Sequence, residues 1–210
     1  MEFFTAPPPL EREPFEERAL PAWVGPPTGI LGAISPIERM LFEGDALVIA
    51  LVSGTVFPEG VKIAVQIGAR RTEGMDEDTW RTRHELLMHG NHHPFARHGA
   101  SLDDEVLRFG VRFSDGSKAT TVDRRAESGG EWPPPRPDGP ILQYSGGGGS
   151  SRNNNDFASS GWSMWLWPLP PPEPFEFAVE WPAFGVPLIF TEIDGAPINA
   201  AAARARPFWP

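Results

Sequence analysis

The chain has no cysteine, one tyrosine and two lysines among its 210 residues. The missing thiol excludes disulfides and a thiol nucleophile, and it suits a reducing compartment. Positive charge is scarce: 18 Lys and Arg stand against 28 Asp and Glu, a formal net charge of -10. Nucleic-acid binders present a basic face that releases counterions from phosphates, so the balance argues against that class. The pairs Arg70-Arg71 and Arg124-Arg125 are flanked by Glu73, Asp123 and Glu127 and read as solvated loop ends. A long apolar run is missing too. The longest, Ala46 to Val52, falls far short of the roughly 18 residues of a membrane-spanning helix and reads as a buried strand. Met1-Glu2-Phe3-Phe4 leads into prolines and then Glu11, Glu13, Glu16 and Glu17, which is not the basic-then-apolar order of a secretory leader. The expected setting is the cytoplasm, with neither membrane nor nucleic acid as partner.

Proline and glycine are plentiful, at 25 and 22 residues. Pro7-Pro8-Pro9, Pro14, Pro21 and Pro26-Pro27 make residues 1–29 an extended arm, because each ring removes a backbone donor and biases its predecessor away from helix. Phe3, Phe4 and Trp23 are the side chains able to pin that arm to the body. From Ile30 onward, short alternating runs separated by turn residues mark strands. Asp45–Ser53 and Val61–Ile67 flank Phe57-Pro58-Glu59-Gly60 and form a hairpin. Leu107, Phe109, Val111 and Phe113 alternate with Arg108, Gly110 and Arg112 before Asp115-Gly116, a pair that favours a primed turn. Pro140–Tyr144, Trp162–Trp167, Phe175–Trp181 and Leu188–Ile193 supply further strands. Trp162–Trp167 is apolar on both faces and should be central or covered on both sides. Only Asp76–Met88 and Ala200–Ala205 have a helical look. About eight or nine strands with frequent turns predict an all-β antiparallel sandwich, with an immunoglobulin-like topology as one variant and a closed barrel as the competitor. The sandwich domain should span 30–195, with an insertion loop at 71–102, a Gly-rich loop at 145–160 and a C-terminal tail at 196–210.

All five histidines, His84, His89, His92, His93 and His98, fall within one short stretch. Neutral imidazole binds zinc, copper or nickel, and Glu85, Asp103 and Asp104 could complete a site, so this run is the candidate metal site. Its spacing departs from H-E-x-x-H: His84 and His89 are five apart and do not share a helix face. A polar surface loop is the plainer reading of the same residues. Gly146 to Gly149 lack the Gly-Lys-Ser/Thr ending of a phosphate loop and read as a linker. Glu176 and Glu180 share a strand face but lie roughly 13 Å apart along it, beyond the spacing of a hydrolytic carboxylate pair. Asp76-Glu77-Asp78 and Asp103-Asp104-Glu105 lack the EF-hand order. Eight Trp and 14 Phe are mostly core by their alternation, Trp162, Phe175, Phe177 and Trp181 above all. Trp165 and Trp167 either lie under a loop or form an exposed patch, and Trp132 and Trp209 are candidates for docking on a partner.

Leu107-Arg108-Phe109-Gly110-Val111-Arg112-Phe113-Ser114-Asp115-Gly116, Trp165-Leu166-Trp167-Pro168-Leu169-Pro170-Pro171-Pro172 and Glu180-Trp181-Pro182-Ala183-Phe184-Gly185 resemble stretches of an uncharacterised actinobacterial family. The resemblance covers residues 104–193, implies origin in a GC-rich genome and carries no activity to any residue; the ratio of 16 Arg to 2 Lys agrees. With no convergent catalytic signature, the expected function is a non-catalytic interaction or structural module that self-associates or docks on a protein partner. A metal-binding protein or metal-dependent hydrolase built on the His84–His98 run, with zinc as the candidate ion, is the alternative. Glycan recognition through Trp165 and Trp167 is the third.

Overall fold

The two-residue rhythm of apolar side chains builds two antiparallel sheets packed face to face. The computed structural model describes residues 20–89, 102–123, 133–147 and 156–209. The first sheet holds β2 (Ala33–Glu43), β3 (Leu47–Phe57), β4 (Gly60–Arg70), β7 (Ile141–Gly147) and β8 (Phe157–Trp167), in the order β2-β3-β4-β8-β7. The second holds β5 (Arg108–Arg112), β6 (Lys118–Thr120), β9 (Phe175–Trp181) and β10 (Val186–Ile193), in the order β10-β9-β5-β6. A short ribbon joins β1 (Ile30–Leu31) to β11 (Arg206–Pro207). No ladder links the two large sheets among the described residues, so the barrel alternative does not hold. Their edges instead approach at both sides, β10 against β2 and β6 against β7.

Alternation sorts each strand into a core face and a wet face. Ile49 and Leu51 of β3, Ile63 and Ile67 of β4, Phe109 of β5 and Phe177 of β9 are all buried between the sheets. Phe109 meets Phe177 at 5.9 Å and Phe113 meets Phe175 at 5.6 Å between ring centroids. On the wet face of the second sheet Arg108 pairs with Glu180 at 2.6 Å and Arg112 with Glu176 at 2.5 Å. These two glutamates are thus spent on separate cross-strand arginines, as an outer face expects.

The β3–β4 turn forms at Pro58-Glu59, with Phe57 opposite Gly60. The β5–β6 turn differs from the primed form. Only Gly116 has a left-handed backbone, at φ 84°. The Gly116 N–H donates to Phe113 O at 3.0 Å and the Phe113 N–H to Ser117 O at 2.9 Å. That is a three-residue loop, a type I turn closed by a left-handed glycine, so one positive φ suffices where a primed turn needs two. The Asp115 carboxylate fixes it by accepting from the Ser117 N–H and hydroxyl.

Helix α1 (Glu77–His89) starts at Asp76, whose carboxylate accepts from the Thr79 N–H at 2.8 Å and its hydroxyl at 2.7 Å. Trp80 and Leu87, two turns apart, bury one face of it in the core. Helix α2 (Gly195–Ala202) is capped by Asp194 and buries Ile198 and Ala201 against β2 and β3. The body therefore extends past Ile193: the expected tail supplies a core helix and a ribbon strand. Among the described residues no helix is long and apolar enough to cross a membrane.

β8 explains why the end of the arm, residues 20–29, is also part of the fold; Phe3 and Phe4 lie outside the described residues. Met164 and Leu166 face the main core, while Trp165 and Trp167 point to the opposite side of the sheet. There they form a second core with Phe57 and Ile141, covered by Ala22, Trp23 and Ile30. The Trp165 indole donates to Ala22 O at 2.8 Å, Gln143 Nε2 to Val24 O at 2.6 Å, and the Trp23 indole to Pro134 O at 2.9 Å. The Trp165 and Trp23 indole N–H groups thus have partners, which the apolar surroundings demand.

Two outcomes follow for stability. Replacing Trp23 with alanine uncovers the second core and should lower unfolding free energy by about 2–3 kcal/mol, the lower end for a large aromatic because Trp23 is only half-buried; unchanged urea unfolding would contradict this. Burial pushes the phenol of Tyr144 above its ordinary value of 10.0. The folded state therefore keeps Tyr144 neutral where the unfolded chain ionises it, a stabilisation present below about pH 10 and lost as pH rises beyond it. Because Tyr144 is the sole tyrosine, absorbance at 295 nm should rise only as alkali unfolds the protein; a phenolate signal from the folded state near its ordinary value would contradict the burial.

Candidate functional site

Past Trp167, at the end of β8, the sandwich opens into a cleft of about 610 Å³. Three segments enclose it: the β5–β6 turn, the approach to β7 at 136–140, and the loop that follows β8. Proline dominates the last two, and rings with fixed φ hold the walls without unfilled backbone donors. The approach to β7 brings the Arg136 guanidinium to 5.2 Å from the centroid of the Trp167 ring, within the range of a cation–π contact. Trp23 meets the same ring edge-on at 6.0 Å. The Trp167 side chain is thereby buried at the cleft, between its own arginine and the arm.

Each enclosing segment also contributes one carboxylate to the lining: Asp115, Asp138 and Glu173. Hydrogen bonds from the Ser117 hydroxyl and then its backbone N–H hold the Asp115 carboxyl below the usual aspartate value, so it stays ionised near neutrality. Three carboxylates against the one guanidinium of Arg136 give the cleft an excess of negative charge. Among the described residues Arg136 forms no ion pair.

The histidine run is only partly described. His84 lies on α1, half-buried, with its ring 6.2 Å from that of Trp80. Its Nε2 has no hydrogen-bond partner among the described residues. His89 is the last residue of α1. His92, His93 and His98 lie outside the described residues, as does Trp132. Among the described residues no three metal-binding side chains come together.

Trp165 and Trp167 do not form the exposed platform that glycan stacking requires. Their relative exposures are 0% and 4%, beneath the segment that carries Ala22 and Trp23. The covered reading of these residues is the one the structure follows, and their faces are taken by Ala22, Trp23 and Arg136. Trp209 is the reverse, 82% exposed beside Phe208 at 51%. The Phe208 N–H donates to Gly29 O at 3.1 Å, which extends the β1–β11 ribbon by one step. In that ribbon Leu31 stands opposite Arg206, so Leu31 and Phe208 are diagonal neighbours on one face. Ile34, 58% exposed, adjoins it, and its carbonyl accepts from Arg204 Nη2 at 2.9 Å.

Sequence reasoning missed the cleft. Arg136, Asp138 and Glu173 sit in proline-rich stretches that read as plain turns, and the signal available was their flanking of Trp167 on both sides in the chain. It also missed the exposure of Leu31, Ile34 and Phe208, whose segments come near that of Trp209 only once β11 pairs with β1. Comparison of the chain with protein-family models, with curated proteins and with solved structures finds no match.

Proposed function

We propose that this chain is a non-catalytic β-sandwich interaction module that associates with a second copy of itself through the apolar patch around Trp209. The supporting observation is exposure: Trp209, Phe208, Ile34 and Leu31, each at least 43% exposed, all lie on or next to the β1–β11 ribbon. Four large apolar side chains exposed around one short ribbon cost solvation in the isolated chain, and tryptophan is enriched among interface anchors. Self-pairing suits the patch because the commonest oligomers are two-fold dimers that set the same surface against itself. Charge elsewhere works against non-specific contact: at -10 the copies repel except where apolar burial outweighs the repulsion. The cysteine-free, acidic composition fits a cytoplasmic setting.

Sedimentation velocity across a concentration series tests this. The chain should shift from monomer to dimer as concentration rises, and Phe208→Ser with Trp209→Ser should leave it monomeric at every concentration. Because both side chains are exposed, that variant should unfold within about 0.5 kcal/mol of the parent at low concentration. A parent that stays monomeric at several hundred micromolar, or a variant that dimerises equally, would overturn the proposal.

A further inference from the structure

The cleft beside Trp167 carries a separate inference, independent of the patch around Trp209. Its ring shows what the site accepts, because the chain's own Arg136 guanidinium already lies over it at 5.2 Å. Arg136 is exposed at the mouth and, among the described residues, has no carboxylate within ion-pair distance. A cation–π contact at an exposed site is worth only about 0.5–1 kcal/mol, so thermal motion frees the arginine readily. Once it leaves, the lining presents an indole face together with Asp115, Asp138 and Glu173. Asp115 is already fixed and ionised by Ser117.

We propose that this cleft binds an arginine side chain of a partner polypeptide, which takes the place of Arg136 on Trp167 and meets the carboxylates that Arg136 leaves unpaired. Three features fit arginine in particular. A planar guanidinium stacks on an aromatic face and at the same time donates hydrogen bonds from its edge to carboxylates. The carboxylates outnumber the one lining cation three to one, so an incoming positive charge is drawn in while an acidic or neutral chain is not. Pro137, Pro140, Pro168 and Pro171 give rigid apolar walls for the side-chain stem and the flanking peptide, which limits the ordering cost on binding. The volume of about 610 Å³ lies within the range of a small-ligand pocket and accommodates one long side chain with adjoining backbone.

The test titrates the full chain with acetyl-Gly-Arg-Gly-amide at low ionic strength, followed by NMR shifts of the Trp167 indole. Acetyl-Gly-citrulline-Gly-amide, of the same shape without the charge, is the control. The arginine peptide should bind saturably and at least about five-fold more tightly than the citrulline peptide, the order expected for one charged contact. Asp138→Asn with Glu173→Gln should weaken it by a similar factor while leaving the Tm unchanged, since both side chains are exposed. Arg136→Ala should tighten it, because the competing cation is gone. No saturation by 10 mM, equal binding of the two peptides, or binding untouched by the carboxylate changes would overturn the site. Weaker or unchanged binding to the Arg136→Ala protein would overturn the exchange. A dimer abolished by Phe208→Ser with Trp209→Ser would leave this result unaffected, so the two proposals fail separately.

Discussion

β8 must be covered on both faces, and the rest of the surface follows from how that is done. Met164 and Leu166 are covered by the opposing sheet, as in any sandwich. Trp165 and Trp167 are on the other side, where a two-sheet architecture ends at water. Each indole brings 150 Å² or more of mostly apolar surface, so leaving one exposed forfeits about 4 kcal/mol. The chain resolves this with the segment before β1, laid across the outer face and tied by the Trp165–Ala22 hydrogen bond. A proline-rich segment is suited to the task because it lies extended with few backbone donors left to satisfy.

Both candidate surfaces are by-products of that cover. The arm continues directly into β1, and β1 is the strand on which β11 pairs, so the route over Trp165 fixes where Phe208 and Trp209 emerge. At the other end of the same small core, Trp167 is covered by Trp23 on one side and by Arg136 on the other. A ring capped by an exposed arginine is a different environment from one capped by packed carbon. Three nearby carboxylates would favour a cation at that end by Coulomb attraction, whereas a partner at the exposed side chains around Trp209, flanked by Arg204 and Arg206, would gain by apolar burial. The two surfaces thus differ in the physics they offer, and salt should weaken one far more than the other.

The sandwich was legible in the sequence: β4, β5 and β9 lie where apolar residues recur at every second position, and β3, β8 and β10 lie on short apolar runs. The helical look of Asp76–Met88 is α1, whose cap Asp76 and inward Trp80 are local features. What was hidden depends on long-range pairing. β2 carries Pro36 and a left-handed Glu38, and its ladder with β3 shifts register twice, so its alternation breaks. α2 is short and alanine-rich, and Ile198 is buried only because β2 and β3 lie beneath it. The Asp115-Gly116 turn was placed correctly and assigned the wrong geometry, since one glycine serves both a primed turn and a type I turn with a left-handed closure. Of the chemistry, the double-faced Trp162–Trp167 strand was readable as covered on both sides. The cleft was not, because Arg136 reaches Trp167 across 31 residues that no periodicity connects.

Hydrogen exchange at the indole N–H groups probes the cover over β8 most directly. The Trp165 N–H, donating to Ala22 at 2.8 Å, should exchange only when the whole domain unfolds, while that of Trp209 exchanges at the rate of a free indole. Exchange of Trp165 as fast as that of Trp209 in the folded protein would mean that the outer indoles are not sealed by the N-terminal segment, and the cleft and patch described above would lose their common foundation.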